Sequence, residues 1–181
     1  MKLNKLAFIG TLAVAALSSQ AFAATDATVN FNARLVAETC DVSASKDLVS
    51  LGTHKTKGLS TTDAISKEKF SLVLNNCTKA YDDQNPQAGS IAIQASGEVL
   101  TGHSDMFADA QASQIGVKLQ AESTGNTLVD LKPNDTTPVD GLKVSGNGDI
   151  IVPMIASLYA TTAEATAQQL NVPVTFSVAY D

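Results

Sequence analysis

Val172-Pro173-Val174-Thr175-Phe176-Ser177-Val178-Ala179-Tyr180-Asp181 closes the chain, and bulky apolar side chains alternate with small or polar ones to its end. A period of two puts Val174, Phe176, Val178 and Tyr180 on one face of an extended strand. The same period recurs upstream. Ile115, Val117 and Leu119 alternate with Gly116, Lys118 and Gln120, and Ile91 and Ile93 flank Ala92. Phe70, Leu72 and Leu74 alternate with Ser71, Val73 and Asn75, and Phe31, Ala33 and Leu35 with Asn32, Arg34 and Val36. Turn clusters lie between: Asp82-Asp83-Gln84-Asn85-Pro86, Lys132-Pro133-Asn134-Asp135 and Ser145-Gly146-Asn147-Gly148-Asp149. Short strands separated by such turns predict an all-β antiparallel sandwich. Residues 160–170, rich in Ala, Thr and Gln, carry no apolar stripe and read as a loop. No linker, repeat or charge run divides the chain, so one domain is expected.

The first residues follow another logic. Lys2 and Lys5 flank the start of an apolar run from Leu6 to Leu17, and Ala21-Phe22-Ala23 supplies a small-x-small cleavage site. The run is about a dozen residues long, whereas a bilayer span takes about 20. Residues 1–23 are therefore expected to be a cleaved signal peptide, with Ala24 first in the mature chain. Removing 23 of 181 residues leaves 158, and basic residues fall from 12 to 10 against 18 acids, a net charge of −8. That balance excludes a nucleic-acid binder, which needs a basic face. No later stretch is apolar for long enough to insert in a membrane, so an exported, soluble protein is expected. With 5% aromatic residues and no tryptophan, its core must come from Val, Ile, Leu and Ala.

Catalysis requires a constellation of groups, and none is evident. His54 and His103 lie in polar, turn-like sequence; His103 with Asp105 could in principle hold a metal or relay a proton, but solvated loop residues explain them as well. There is no Gly-x-Ser-x-Gly elbow, phosphate loop or His-Glu-x-x-His. Asp82 and Asp83, adjacent on an extended chain, point to opposite sides. Asn134-Asp135-Thr136 fits a glycosylation sequon that carries little weight here. No cofactor, metal or enzymatic activity is expected. Cys40 and Cys77, an even pair in an exported chain with 36 residues between them, favour a disulfide over two separate thiols or a zinc site. Closing that loop stabilises by about 3–4 kcal/mol in the loop-entropy picture.

In order, the chain has a signal peptide, a short alternating arm leading to Cys40, and a second cysteine after the strand Leu72-Val73-Leu74-Asn75-Asn76-Cys77. A late strand then ends in Tyr159-Ala160-Thr161, and a final strand has penultimate Tyr180. This ordered set resembles the structural pilins of bacterial chaperone–usher fimbriae, of the type 1 class. It departs from their pattern at Gln168, where a glycine is usual, and at Asp181, where glutamine is common.

The resemblance implies an incomplete immunoglobulin-like β-sandwich that lacks its final strand and is completed by a donor strand from a neighbouring subunit. It divides the chain into the signal peptide, a donor arm over 24–35 that runs into the first strand, and a sandwich over 36–181. Ala27, Val29, Phe31, Ala33 and Leu35 would be the donor face; Val174, Phe176, Val178 and Tyr180 would form the groove strand that the chaperone engages. At about 3.3 Å per residue the stretch from Ala27 to Leu35 is roughly 26 Å long. Burying Val29, Phe31 and Leu35 would contribute about 5–9 kcal/mol per junction. The implied partners are identical or related pilin subunits in a head-to-tail polymer, a periplasmic chaperone and an outer-membrane usher, and the implied location is a cell-surface fimbria serving adhesion. The alternative is a fimbrial tip adhesin or a secreted carbohydrate-binding module, for which the sequence offers neither a second domain nor an aromatic sugar platform.

Overall fold

A computed structural model describes residues 40–77, 91–112, 114–123, 126–145 and 147–180, excluding the side chains of Lys143, Ala179 and Tyr180. The signal peptide, the arm with Ala27, Val29, Phe31, Ala33 and Leu35, and the turn at Asp82–Pro86 lie outside the described residues. Within them the secondary structure is all β. The strands are β1 (Asp41–Ala44), β2 (Ser66–Asn75), β3 (Ile91–Ser96), β4 (Val99–Leu100), β5 (His103–Phe107), β6 (Ile115–Ser123), β7 (Thr127–Leu131), β8 (Thr136–Val139), β9 (Lys143–Val144), β10 (Ile150–Ala160) and β11 (Thr175–Tyr180).

Two antiparallel sheets result. The larger runs β1-β2-β10-β6-β5-β4; β7 continues along β6 beyond β5, and β9 lies beside the start of β10. The smaller runs β11-β3-β8. Alternation explains how they pack. Phe70, Leu72 and Leu74 of β2 and Ile150, Val152 and Met154 of β10 are buried with Ile91, Ile93 and Ala95 of β3 in one core. Leu72, Leu74, Ile91 and Ile93 are fully buried, each worth about 1.5–3 kcal/mol over exposure. As the composition requires, the core is mainly aliphatic.

Three features differ from expectation, each for a local reason. The last strand begins at Thr175 rather than Val172, because Pro173 has no N–H to give to a ladder. Conversely, Pro153 sits in the middle of β10 without ending it. Its partner Ser71 turns both backbone groups toward Ser45, at 2.8 Å each. The polar groups of Pro153 therefore point away from β2, to the side where β9 has ended at Ile151 and β6 pairs only from Met154 onward. The missing donor falls in a gap.

The third feature is the β4–β5 hairpin, whose strands are too short to show a period and which places His103 in a strand rather than a turn. Leu100 and Met106 pack there with Ala108 and Ala112 in a second cluster. The hairpin rests on Gly116, where a Cβ would come within 3.0 Å of Leu100 and Met106 side-chain atoms and 3.1 Å of the Phe107 carbonyl oxygen.

Two stability predictions follow from this packing. Gly116→Val should destabilise by about 1–3 kcal/mol through overpacking, read as a lower thermal midpoint, because a Cβ there meets Leu100, Met106 and the Phe107 carbonyl. Cys40→Ala should lower subunit yield by restoring about 3–4 kcal/mol of unfolded-state entropy, read by immunoblot of the exported fraction.

Candidate functional site

The site is a groove between two sheet edges, and its first wall starts at the disulfide. Cys40 is bonded to Cys77, just past the end of β2, which pins the entry to β1. Asn76, at φ 49°, donates its side-chain amide to Asp41 at 2.8 Å. β1 then pairs with β2 from Asp41↔Asn75 to Ala44↔Leu72. At Ser45 the side chain takes over from the backbone: the Ser71 N–H donates to Ser45 Oγ at 2.8 Å. Lys46 Nζ donates to the Lys69 carbonyl at 2.8 Å. The ladder stops, and residues 46–56 leave β2 to form a separate wall.

That wall is held by a few contacts. Ser66 Oγ and His54 Nε2 both donate to the Leu51 carbonyl, at 2.8 and 2.6 Å. Gly52 turns the chain at φ 86°, a left-handed conformation that favours glycine. The opposite wall is formed by residues 165–176 leading into β11. At one end the walls are tied together by backbone pairing: Leu59 N–H donates to Ala163 O at 3.0 Å and Ala165 N–H to Thr56 O at 2.8 Å, which sets the Lys57 and Glu164 backbones opposite one another as an antiparallel β-bridge. Toward the other end the Phe70 and Phe176 rings meet at 6.2 Å between centroids.

The floor between the walls is Phe70 of β2, Ile115, Val117 and Leu119 of β6, and Ala156 and Leu158 of β10. The enclosed volume is about 1080 Å³, above the roughly 300–1,000 Å³ usual for small-molecule sites. Among the described residues β11 pairs with β3 alone, and its first residues, Thr175 and Phe176, line the groove. An apolar floor beside an unpaired strand edge suits one more extended segment: the edge supplies hydrogen bonds and the floor takes alternate side chains. The six floor side chains are all apolar, which suits contact with another apolar surface.

Of the final-strand residues named above, Val174 and Phe176 line the groove, and Val178 lies in the core at 6% exposure. The backbone of Tyr180 pairs with Ile91. The groove-lining segment 46–56 and the floor residue Ala156 were not legible, since neither belongs to an alternating run quoted above. His103 and Asp105 are not arranged as a metal site. Asp105 instead makes a 2.6 Å ion pair with Lys118, whose Nζ also lies 4.9 Å from the Tyr159 ring centre. The hydrogen bond from Lys118 holds the Asp105 carboxyl below its ordinary range. Asn134 occupies a turn at φ 62°, and its side chain bonds the Gly97 N–H and C=O at 3.2 and 2.9 Å.

A two-sheet sandwich with an apolar groove at an unpaired edge defines a class of protein built to receive a strand. Residues 27–181 match the family model described as fimbrial protein, and the chain belongs to that family. It is a fimbrial structural subunit, not an enzyme. The fold is similar to the crystal structure of the P pilus rod subunit PapA, with a TM-score of 0.57 and 16% identity over 85% of this chain and 99% of that one. It is also similar to a chain of a chaperone–usher pilus whose structure addresses rod uncoiling, with a TM-score of 0.56 and 16% identity over 87% and 97%. These are incomplete immunoglobulin-like sandwiches, the fold class read from the sequence. No curated protein sequence matches the chain.

Phe176→Asp places a charge against the Phe70 ring at a half-buried groove position, at a cost of about 1–3 kcal/mol. It should lower the amount of folded subunit in the exported fraction, whereas Ser177→Asp, exposed on the same strand and outside the groove lining, should leave the amount near wild type.

Proposed function

We propose that this protein is a fimbrial subunit polymerised by donor-strand exchange through a periplasmic chaperone and an outer-membrane usher. Residues 1–23 direct export and are removed. Residues 24–35 form the donor arm, and 36–181 form the sandwich that receives the arm of the next subunit. The chaperone lends a strand to the groove first, contacting Val174, Phe176, Val178 and Tyr180; a neighbour's Ala27, Val29, Phe31, Ala33 and Leu35 then replace it. The polymer is displayed on the cell surface and serves adhesion. The observation that carries this reading is the apolar groove beside the free edge of β11.

The fold supports one direction for the inserted arm. The arm leads into Cys40, at the end of β1 away from the tie between residues 56–59 and 163–165. Subunits that join end to end need the neighbour's arm to emerge at the tied end, which runs it antiparallel to β11. Such a contact joins unlike surfaces and does not close, so it propagates a filament.

Phe31→Asp and Ala33→Leu should each leave the subunit–chaperone complex intact and abolish surface filaments, seen by electron microscopy and by co-purification with the chaperone. Normal filaments from both variants would overturn the donor-strand reading, and loss of chaperone binding in both would place these residues in the subunit's own core.

A further inference from the structure

Residues 166–174 make up most of the second wall of the groove and belong to no strand, so no ladder fixes their path. They are held instead from outside the groove lining, by the turn that follows β5 and the residue before β6. The Thr166 N–H donates to Gln114 Oε1 at 2.8 Å, and the Asn171 N–H to Asp109 Oδ2 at 3.3 Å. The Gln114 carbonyl accepts from the Thr161 N–H at 2.8 Å and from the Thr161 hydroxyl at 3.2 Å. Asp109 is oriented in turn by the Gln111 N–H, which donates to Oδ1 at 3.2 Å. Between the two tethers, half-buried Leu170 packs against both the main core and the Leu100–Met106 cluster. The β4–β5 hairpin and its following turn therefore buttress the wall.

We propose that Gln114 and Asp109 are positioning residues for strand exchange, which hold the wall over 166–171 in its strand-receiving path and so set how long the groove retains a strand. This rests on the donor-strand reading above and adds a control on the same site. Neither residue lines the groove, so each acts through the wall and not on the inserted strand. Without its tether, the Thr166 or Asn171 N–H turns to water, and the segment gains conformations that binding must remove again. That cost falls on the occupied state, where Leu170, Val172 and Val174 face the strand from the wall. An occupied groove with a loosened wall releases its strand sooner. Thr166 presents a backbone donor, so its tether requires only an acceptor oxygen at that reach: Gln114→Glu keeps one, and Gln114→Met, close in shape, does not.

The test uses the full-length chain co-purified with its chaperone and challenged with excess synthetic peptide of residues 24–35, with chaperone release followed over time. Gln114→Met and Asp109→Ala should each release the chaperone about two- to tenfold faster than wild type, the range for one net hydrogen bond. Gln114→Glu should return the rate to near wild type. Gln120→Met loses a 2.7 Å side-chain bond to Asp130 on the outer face of the large sheet, away from the wall, and should leave the rate unchanged. If Gln114→Met is not recovered as a complex, Asp109→Ala against Gln120→Met decides. Wild-type release from the tether variants, equal acceleration in Gln120→Met, or no restoration by Gln114→Glu would overturn the inference. A peptide that displaces no chaperone from the wild-type complex would instead remove the donor-strand reading itself, and this inference with it.

Discussion

The constraint on which the structure depends is the edge of β11 that no described strand pairs. That strand pairs with β3 on one side, and on the other it borders a floor of Phe70, Val117, Leu119 and Leu158. Each half of the arrangement is unfavourable alone. An unpaired strand edge is a template for pairing with any other chain, and an apolar trough of this size is an association site or an aggregation hazard. Together they specify a single remedy, an extended segment that hydrogen-bonds to the edge while covering the floor. A globular ligand would satisfy only the floor, and a strand with polar side chains only the edge.

The groove is held open by polar contacts that keep its two walls apart. Had β1 continued along β2, it would have covered the upper half of that strand. The Ser45 hydroxyl accepts from Ser71, Lys46 caps the Lys69 carbonyl, and Ser66 holds Leu51, so the chain is diverted at a defined point. The disulfide fixes where this wall begins, and the tie from Thr56 and Leu59 to Ala163 and Ala165 fixes where it meets the opposite one. A wall positioned in advance lowers the ordering cost of binding, so more of the apolar burial is expressed as affinity.

The sequence was informative where structure is periodic and poor where it is not. β2, β3, β6 and β11 each present alternating side chains to one core, so a period of two reveals both the strand and its buried face. β4 and β9 have two residues each, too few for any period. Pro153 argues locally against a strand that the gap between β9 and β6 permits, and only the pairing register discloses that gap. The cysteines could be paired from their number and compartment. The wall over 46–56 could not be read, because its path is set by single hydrogen bonds to residues 15 to 26 positions away.

The same geometry accounts for the need of a chaperone in the donor-strand reading. A subunit's arm is tethered at Cys40, beside the aromatic end of its own groove, so self-insertion competes with the neighbour at the high effective concentration of a tethered segment. From that tether the arm would have to run back toward the tied end, with its N-terminal residues farthest from Cys40, parallel to β11. Parallel pairing is slightly weaker per residue than antiparallel pairing. The neighbour's arm is thus favoured at equilibrium and the subunit's own arm by proximity. A strand that occupies the groove from synthesis until a neighbour arrives resolves the conflict, because it removes the kinetic advantage of the tether while leaving the antiparallel end state available. Binding that stabilises the folded subunit also protects it by mass action during that interval. In that reading the edge of β11 stays covered throughout the life of the protein, with only the identity of the covering strand changing.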